Sequence, residues 1–197
     1  MSALAVLVCA HDGHLDVPSD RWMGHVTDAD RTALARVTGP AIDVGCGPGR
    51  IVLALAERGT RAMGIDVTPH AVAHARERGA TVLQRSVFDR VPGAGRWATA
   101  LLLDGNVGIG GDPVALLRRV AMLVRIGGAV LVELEPPGTP TAPRIVRLDI
   151  GDRPGPWFEL APVTDDEIDA LADLADLAVR ERWAADGRWF AALERTR

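Results

Sequence analysis

A glycine-rich turn of the kind that holds nucleotide-like ligands lies in the segment AIDVGCGPGR, residues 41–50. Gly45, Gly47 and Gly49 alternate immediately after a short apolar run. Glycine accepts positive φ and has no side chain, so such a turn brings bare backbone N–H groups close to a ligand. The residues that follow predict a helix over 51–58, whose unpaired first-turn donors and positive dipole end would face the same ligand.

The spacing of this turn separates it from two common nucleotide motifs. A dinucleotide fingerprint reads G-x-G-x-x-G, whereas here the third glycine comes one place early and Arg50 takes the place of a small residue. The turn also lacks the Lys-Ser/Thr ending of a P-loop, which disfavours phosphoryl chemistry. Asp66 follows the next predicted strand, 62–65, about 20 residues beyond the turn, where a doubly wound sheet presents an acid to ribose hydroxyls. We therefore expect Asp66 to bind a ribose.

Two histidine pairs have spacings that could suggest a metal, but neither predicts one. His11 and His14 flank a predicted hairpin turn, where polar residues are usually solvated. His70 and His74 are four residues apart and share a helix face, yet no further Cys, Glu or His nearby completes a ligand set. No metal site is predicted.

Length, charge and cysteine content narrow the class of protein. A chain of 197 residues suits one α/β domain, so we expect a single domain over 1–197. A formal net charge of −4 with scattered arginines argues against a nucleic-acid partner and favours a small-molecule substrate. Two cysteines form no disulfide framework, and Leu4 to Ala10 is too short to span a bilayer and lacks a signal-peptide pattern. We expect a cytoplasmic protein without a membrane partner; the pattern indicates no particular oligomeric state.

The predicted elements alternate between strands and helices through the middle of the chain. Hairpins are predicted before and after this series: one in the first residues, one in a Pro- and Gly-rich insert, and one at Asp186-Gly187. The predicted central strands are 41–44, 62–65, 81–84, 97–103 and 129–134. The predicted helices are 27–37, 51–58, 69–78, 113–124 ended by Gly127-Gly128, and a last helix with Ile168, Leu171, Leu174 and Leu177 on one face.

Four segments together resemble the class I S-adenosylmethionine-dependent methyltransferases. They are AIDVGCGPGR (41–50), GIDVTP (64–69), ALLLDGNVG (100–108) and RIGGAVLVELEPP (125–137). The D-x-G-x-G-x-G turn, the acid that ends the next strand and the GG-led fifth strand occur in register, which is far more specific than a glycine turn alone. The resemblance implies a Rossmann-like open sheet of seven strands, mostly parallel with an antiparallel C-terminal strand and helices on both faces. Residues 1–39 would add a hairpin and lid helix, and 136–163 a hairpin insert.

The resemblance implies S-adenosyl-L-methionine as cofactor, with S-adenosyl-L-homocysteine as product. Ser86 stands where the family usually has the acid that contacts adenine, so its hydroxyl, Asp89 or a Val87 backbone group would replace that acid. The implied cofactor-binding residues are Asp43, Gly45, Cys46, Gly47, Gly49, Asp66, Val67, Ser86, Val87, Asp104 and Asn106.

The resemblance also implies direct in-line methyl transfer to a small molecule. Such chemistry needs a general base only if the acceptor must lose a proton, and the base candidates are Asp104, His25 and Glu135. Candidates for the lid or the substrate pocket are Arg21, Trp22, His25 and Trp157, and either tryptophan could instead be a packing residue. Two alternatives stay open: a cofactor-binding or non-methylating protein on the same fold, and an NAD-type oxidoreductase.

Overall fold

The computed structural model describes residues 5–10, 13–15 and 22–197. Within these ranges the chain forms eleven strands and five α-helices. The strands are β1 (Ala5–Cys9), β2 (Gly13–Leu15), β3 (Ala41–Val44), β4 (Ala62–Asp66), β5 (Val82–Gln84), β6 (Trp97–Leu102), β7 (Val124–Leu134), β8 (Arg144–Ile150), β9 (Phe158–Leu160), β10 (Leu177–Ala185) and β11 (Arg188–Arg195). The helices are α1 (Asp28–Leu34), α2 (Arg50–Glu57), α3 (Pro69–Glu77), α4 (Pro113–Ala121) and α5 (Ile168–Leu174). In the part of the chain described, no helix has the length and apolar character needed to cross a membrane.

Seven strands form a large sheet in the order β10-β11-β7-β6-β3-β4-β5. The pairs from β7 to β5 are parallel, and β11 runs antiparallel to both β7 and β10. This arrangement confirms the predicted mostly parallel sheet with an antiparallel C-terminal strand. The order reverses beside β3, so the carboxyl ends of β3, β4 and β6 meet at one crevice, as expected for a ligand site in an open α/β sheet.

The apolar residues of the large sheet alternate between two cores, one on each face. On β6, Leu102 packs into a core that includes residues of α4 and α5. Its neighbour Leu101 packs into the opposite core, with residues of α1 and α2. Because side chains alternate along a strand, a run buried on both faces needs the continuous apolar sequence seen here. The two cores fix the strand ends that surround the crevice.

A second, four-stranded antiparallel sheet has the order β2-β1-β8-β9. We call it the small sheet. It joins the N-terminal hairpin to the insert hairpin through β1 and β8, with Ala5 opposite Ile150 and Cys9 opposite Val146. Both hairpins were predicted as separate units, so their union is new information from the structure. The small sheet is held over the crevice on one side by Ile150 against Ala71 of α3, and on the other by the Ala161 N–H donating to Gly108 at 2.9 Å.

The predicted end of α4 is wrong. The helix stops at Ala121, and β7 already begins at Val124, opposite Trp97 of β6. The glycine pair 127–128 therefore lies inside β7, where the register between β6 and β7 shifts. Gly127 has a φ of 70°, which shows that the glycines produce an irregularity within a strand rather than a helix stop.

The predicted apolar face of the last helix is only partly correct. Ile168 is buried in α5 as expected, together with Ala172. Leu174 is 56% exposed, and Leu177 belongs to β10 instead of the helix. Alanines thus occupy the buried positions near the helix end. A pattern based on large apolar side chains does not predict such positions.

Candidate active site

The glycine-rich turn connects the carboxyl end of β3 to the first turn of α2. Gly45, Gly47 and Gly49 have φ of 73°, 50° and 83°. A Cβ on Gly45 would lie 2.6 Å from the amide nitrogen of Asn106, and one on Gly49 would lie 2.9 Å from the methyl group of Ala75. At Gly47, by contrast, an added Cβ would meet no described atom within 4 Å. Gly47 borders a cavity, so its bare backbone leaves room for a ligand.

Asp66 ties the end of β4 to this turn. One carboxylate oxygen accepts the Gly47 N–H at 2.8 Å, and the other accepts the Thr68 N–H at 2.7 Å. Burial raises the pKa of Asp66, whereas the hydrogen bonds from Thr68, Gly47 and Val67 lower it. Each carboxylate oxygen has more than one acceptor position, so Asp66 can also accept hydroxyl groups from a ligand in the cavity that it lines.

Asn106 and Cys46 hold the turn from two sides. The Asn106 amide donates to the carbonyls of Val44 and Gly45 at 3.1 and 2.9 Å. The Cys46 sulfur packs so closely on Gly64 that a Cβ there would lie 2.5 Å away. Burial raises the pKa of the Cys46 thiol, which keeps it neutral. Both side chains line the cavity, and both shape the backbone that faces it.

Arg50 links the turn to two other elements through buried ion pairs. Its guanidinium binds Asp30 of α1 and donates to both carboxylate oxygens of Asp104, at 2.7 and 2.5 Å, just after β6. Arg50 is 4% exposed and Asp30 is fully buried. Asp30 also accepts the Thr27 N–H at 2.8 Å in the predicted capping box. Burial alone would raise the pKa of Asp30, but Arg50, Thr27 and Arg188 together lower it to about 2.

Arg188 of β11 extends this arrangement across the sheet. It donates to Asp30 at 2.8 Å and to the two oxygens of Glu133 at 2.8 and 2.6 Å. Glu133 in turn accepts the Asp104 backbone N–H at 2.6 Å, and Asp104 has a φ of 57°. We call Asp30, Arg50, Asp104, Glu133 and Arg188 the charged network. It holds α1, α2 and three strand ends at one side of the cavity.

Negative charge is in excess at this side of the cavity. Asp43 in β3 is 3% exposed, and burial together with the nearby Asp104 raises its pKa to about 8, while Arg50 acts in the opposite direction. With this pKa, Asp43 is mostly neutral at pH 7 and adds little negative charge. The carboxylates of Asp30, Asp104 and Glu133 still outnumber the two guanidinium groups, Arg50 and Arg188. This excess favours a ligand with positive charge.

The other end of the cavity lies beside the turn after β5. Ser86 and Val87 line it, and Asp89 does not. The Ser86 hydroxyl accepts the Phe88 N–H at 3.2 Å and keeps its own hydrogen for donation. Val67, the residue after Asp66, is 38% exposed and borders the same space. Of the three predicted replacements for the adenine acid, two are therefore next to the cavity.

The small sheet forms the opposite side of the cavity, which has a volume of about 250 Å³. Its contribution is apolar and comes from β1, β8 and β9. Trp22, which precedes α1, and Ile109, which follows a single 3₁₀ turn (Asn106–Gly108), complete this side. The lining side chains are Leu7, Trp22, Ile109, Leu148, Phe158 and Leu160.

Several predicted site residues lie elsewhere. His25 is exposed, and neither His25 nor Glu135 lines the cavity, so of the three base candidates only Asp104 borders it. Trp157 is 46% exposed and packs under the Arg147 guanidinium at 4.6 Å, while its neighbour Phe158 faces the cavity. Arg21 lies outside the described residues, as does His11. Gly49 is at the turn but faces α3 instead of the cavity.

Sequence reasoning missed the partners of the charged network. Arg50 was noticed only because it breaks the dinucleotide fingerprint, yet a buried arginine beside a glycine turn requires acids around it. Asp30 and Glu133 lie inside a predicted helix and a predicted strand, and no role in the site was predicted for either. Arg188 carries no local signal, because its partners are brought together by the pairing of β11 with β7.

The crevice, the glycine turn and the acid on the neighbouring strand define a nucleotide-type α/β protein, and known proteins give a more specific class. Residues 41–128 match a family model described as "Methyltransferase domain". Uncharacterized proteins of Mycobacterium tuberculosis and Mycobacterium bovis are 30% identical over 134 residues, 68% of this chain. The chain spans about half the length of these curated relatives, since the match covers 45% of each.

Solved structures share the fold over most of the chain. A SAM-dependent methyltransferase from Bacteroides fragilis, in complex with S-adenosyl-L-homocysteine, has a TM-score of 0.81 and 23% identity, covering 100% of this chain and 90% of its own. The 1,6-didemethyltoxoflavin-N1-methyltransferase of Burkholderia thailandensis has a TM-score of 0.62 and 18% identity, covering 85% of this chain and 75% of its own. Residues 41–128 belong to this methyltransferase domain family, and the chain has the fold of the class I S-adenosylmethionine-dependent methyltransferases, whose cofactor is S-adenosylmethionine.

Proposed function

We propose that this chain transfers a methyl group from S-adenosylmethionine to a small-molecule acceptor by direct in-line displacement. The observation that carries the proposal is the open space at Gly47, next to Asp66 and at the first turn of α2. A ligand there meets the bare backbone of the turn on one side and the Asp66 carboxylate, a candidate ribose acceptor, on the other. The B. thailandensis enzyme, of the same fold, has the small molecule 1,6-didemethyltoxoflavin bound, which supports an acceptor of that size class.

The residues around the cavity fit this cofactor at three points. Asp66 would accept the ribose hydroxyls, and Val67 would pack on the adenine, with Ser86 and Val87 at its polar edge. The carboxylate of Asp104 lines the cavity and suits the amino end and the sulfonium, both of which are cationic. Gly45, Cys46, Gly49 and Asn106 would act by holding the turn in place.

For this reaction the protein has to position the methyl donor and the acceptor and to exclude water. When bound, the cofactor supplies an activated methyl group: the acceptor lone pair forms the new bond to carbon as the S–C bond breaks, and sulfur keeps the electron pair. The small sheet covers the cavity, and the strand ends fix the direction of approach, so alignment and desolvation provide the acceleration. Asp104 is held by Arg50, and this suits a positioning role better than proton abstraction.

The direct test is calorimetric titration with S-adenosylhomocysteine, with NAD in parallel. We expect binding of the first and none of the second. Binding of NAD alone would leave the fold and remove the chemistry. An acceptor screen analysed by mass follows, in which the gain of one methyl group supports the transferase. Turnover without that gain would mean that the cavity serves another reaction on the same fold.

A further inference from the structure

We infer that the acceptor has an uncharged, apolar ring body and that the inner face of the small sheet selects it. This inference rests on the proposed function and names the substrate class of the same cavity. Nothing in the glycine turn specifies it, because that turn addresses the cofactor. The specificity comes from the sheet that covers the crevice.

Around Leu148 of β8 and along β9, apolar residues face the cavity and the charged residues between them face away from it. On β8, Leu148 lines the cavity, whereas the flanking Arg147 and Asp149 form an ion pair at 3.0 Å and do not line it. On β9, Phe158 and Leu160 line the cavity and Glu159 between them does not. Successive side chains of a strand point to opposite faces, so Val146, Leu148 and Ile150 share the inner face with Phe158 and Leu160. Arg144 shares that face at the end of β8, opposite Leu160, but does not line the cavity.

The charged side chains that line the cavity belong to the opposite side. Arg50 and Asp104 bind each other, and Asp66 is bonded to backbone N–H groups. Arg85 is exposed, beside the turn after β5, where the adenine is proposed to lie. Among the described residues, the small-sheet side of the cavity has no charged lining side chain. A charged or hydroxyl-rich acceptor placed there would lose its water without gaining hydrogen bonds, and this is unfavourable.

A ring fits this side better than a flexible chain. Trp22 and Phe158 are both lining residues, and aromatic side chains stack on flat rings at little entropic cost. The small sheet is anchored at two points, by Ile150 of β8 against Ala71 of α3 and by the bond to Gly108 just after β9, so its inner face is a preformed surface. Preformed apolar surfaces favour ligands that need no ordering on binding.

The test uses a matched set of probes with the protein saturated with S-adenosylhomocysteine. Naphthalenemethanol is the neutral ring, naphthoate and naphthylmethylamine are its charged counterparts, and glucosamine is a polar ring. We expect saturable binding of the neutral ring, with affinity for each of the other three at least about tenfold lower, because each would bury an unpaired polar or charged group against the apolar face.

Variants then locate the binding surface. Leu148→Gln should weaken the neutral ring at least about tenfold and leave S-adenosylhomocysteine affinity unchanged. Ile145→Gln is the matched control, because Ile145 is on the same strand, 41% exposed, and outside the cavity. Phe158→Gln on the next strand tests the same surface if Leu148→Gln fails to fold.

Each outcome separates the inference from the proposed function. Binding of S-adenosylhomocysteine with equal or better affinity for a charged ring or the sugar overturns the apolar substrate class and leaves the methyltransferase. The same holds if both cavity variants fold and bind the neutral ring as the unsubstituted protein does. Absence of S-adenosylhomocysteine binding overturns the proposed function itself, and the inference with it.

Discussion

The two sides of the cavity are stabilised by opposite means. On the side formed by the large sheet, the charged network fixes the strand ends with buried ion pairs. Several of their nitrogen–oxygen distances are below 3 Å. On the small-sheet side, the surface is apolar and is held by strand pairing and packing. In the proposed function this difference would separate two tasks: a cofactor of constant chemistry would meet fixed charges, and the acceptor would meet a surface that changes with single side chains.

The largest expected effect is the loss of the central arginine. Arg50→Met removes the guanidinium nearest to both Asp30 and Asp104 and leaves Arg188, which is 3.5 Å from Asp104. Breaking a buried pair costs about 3–5 kcal/mol. Chemical denaturation measures the change in the free energy of unfolding. Arg31→Met is the control, because the pair of Arg31 with Asp28 is exposed and contributes under about 1 kcal/mol. Equal effects of the two variants would show that the charged network does not hold the site together.

A smaller effect is expected at the ribose acceptor. Asp66→Ala removes a carboxylate that also holds Gly47, and hydrogen bonds to a charged group contribute about 1.5–3 kcal/mol. We expect S-adenosylmethionine affinity to fall at least about tenfold, measured by calorimetry. Asp66→Asn keeps an acceptor and should lose less. Unchanged affinity in the alanine variant would make the ribose assignment wrong.

A third comparison separates the effect of a substitution on ligand binding from its effect on backbone strain. Gly47→Ala and Gly59→Ala both place a side chain at positive φ with no described atom within 4 Å, so each should cost about 1 kcal/mol of stability. Only Gly47 lines the cavity. Thermal melting should therefore report similar losses, while S-adenosylhomocysteine binding should fall in Gly47→Ala alone. Equal binding by both variants would place the cofactor elsewhere.

The smallest expected effect is the change in stability for each unit of pH. The pKa of Asp43 is raised to about 8 in the folded protein from an unfolded value near 3.8. The stability that protonated Asp43 contributes is thus complete below about pH 4 and is lost as the pH rises through about 8. We expect a decline of less than about 1.4 kcal/mol per pH unit in ligand-free protein, measured by denaturation. Asp43→Asn should flatten this profile. An unchanged slope in that variant would assign the titration to another group.

The side of the cavity formed by the large sheet could be predicted from the sequence because its signals are local. The glycine turn, Asp66 and the strand around Leu101 are readable from short windows, and the fold class that they imply is confirmed. The small sheet was predicted only as two hairpins, since the pairing of Ala5 with Ile150 joins distant segments. Gly127 was misread because a glycine that ends a helix and one that bends a strand look alike without their partners. The roles of individual site residues stay predictions.

The position of Arg188 has a consequence for the order in which the charged network assembles. It lies in β11, after every other described element in the chain, yet it binds Asp30 and Glu133 beside the cavity. A nascent chain emerging from the ribosome would hold buried acids without their second cation until this strand is released. Because Arg188 reaches these acids only through the pairing of β11 with β7, the cavity side is fully stabilised only after that pair has formed.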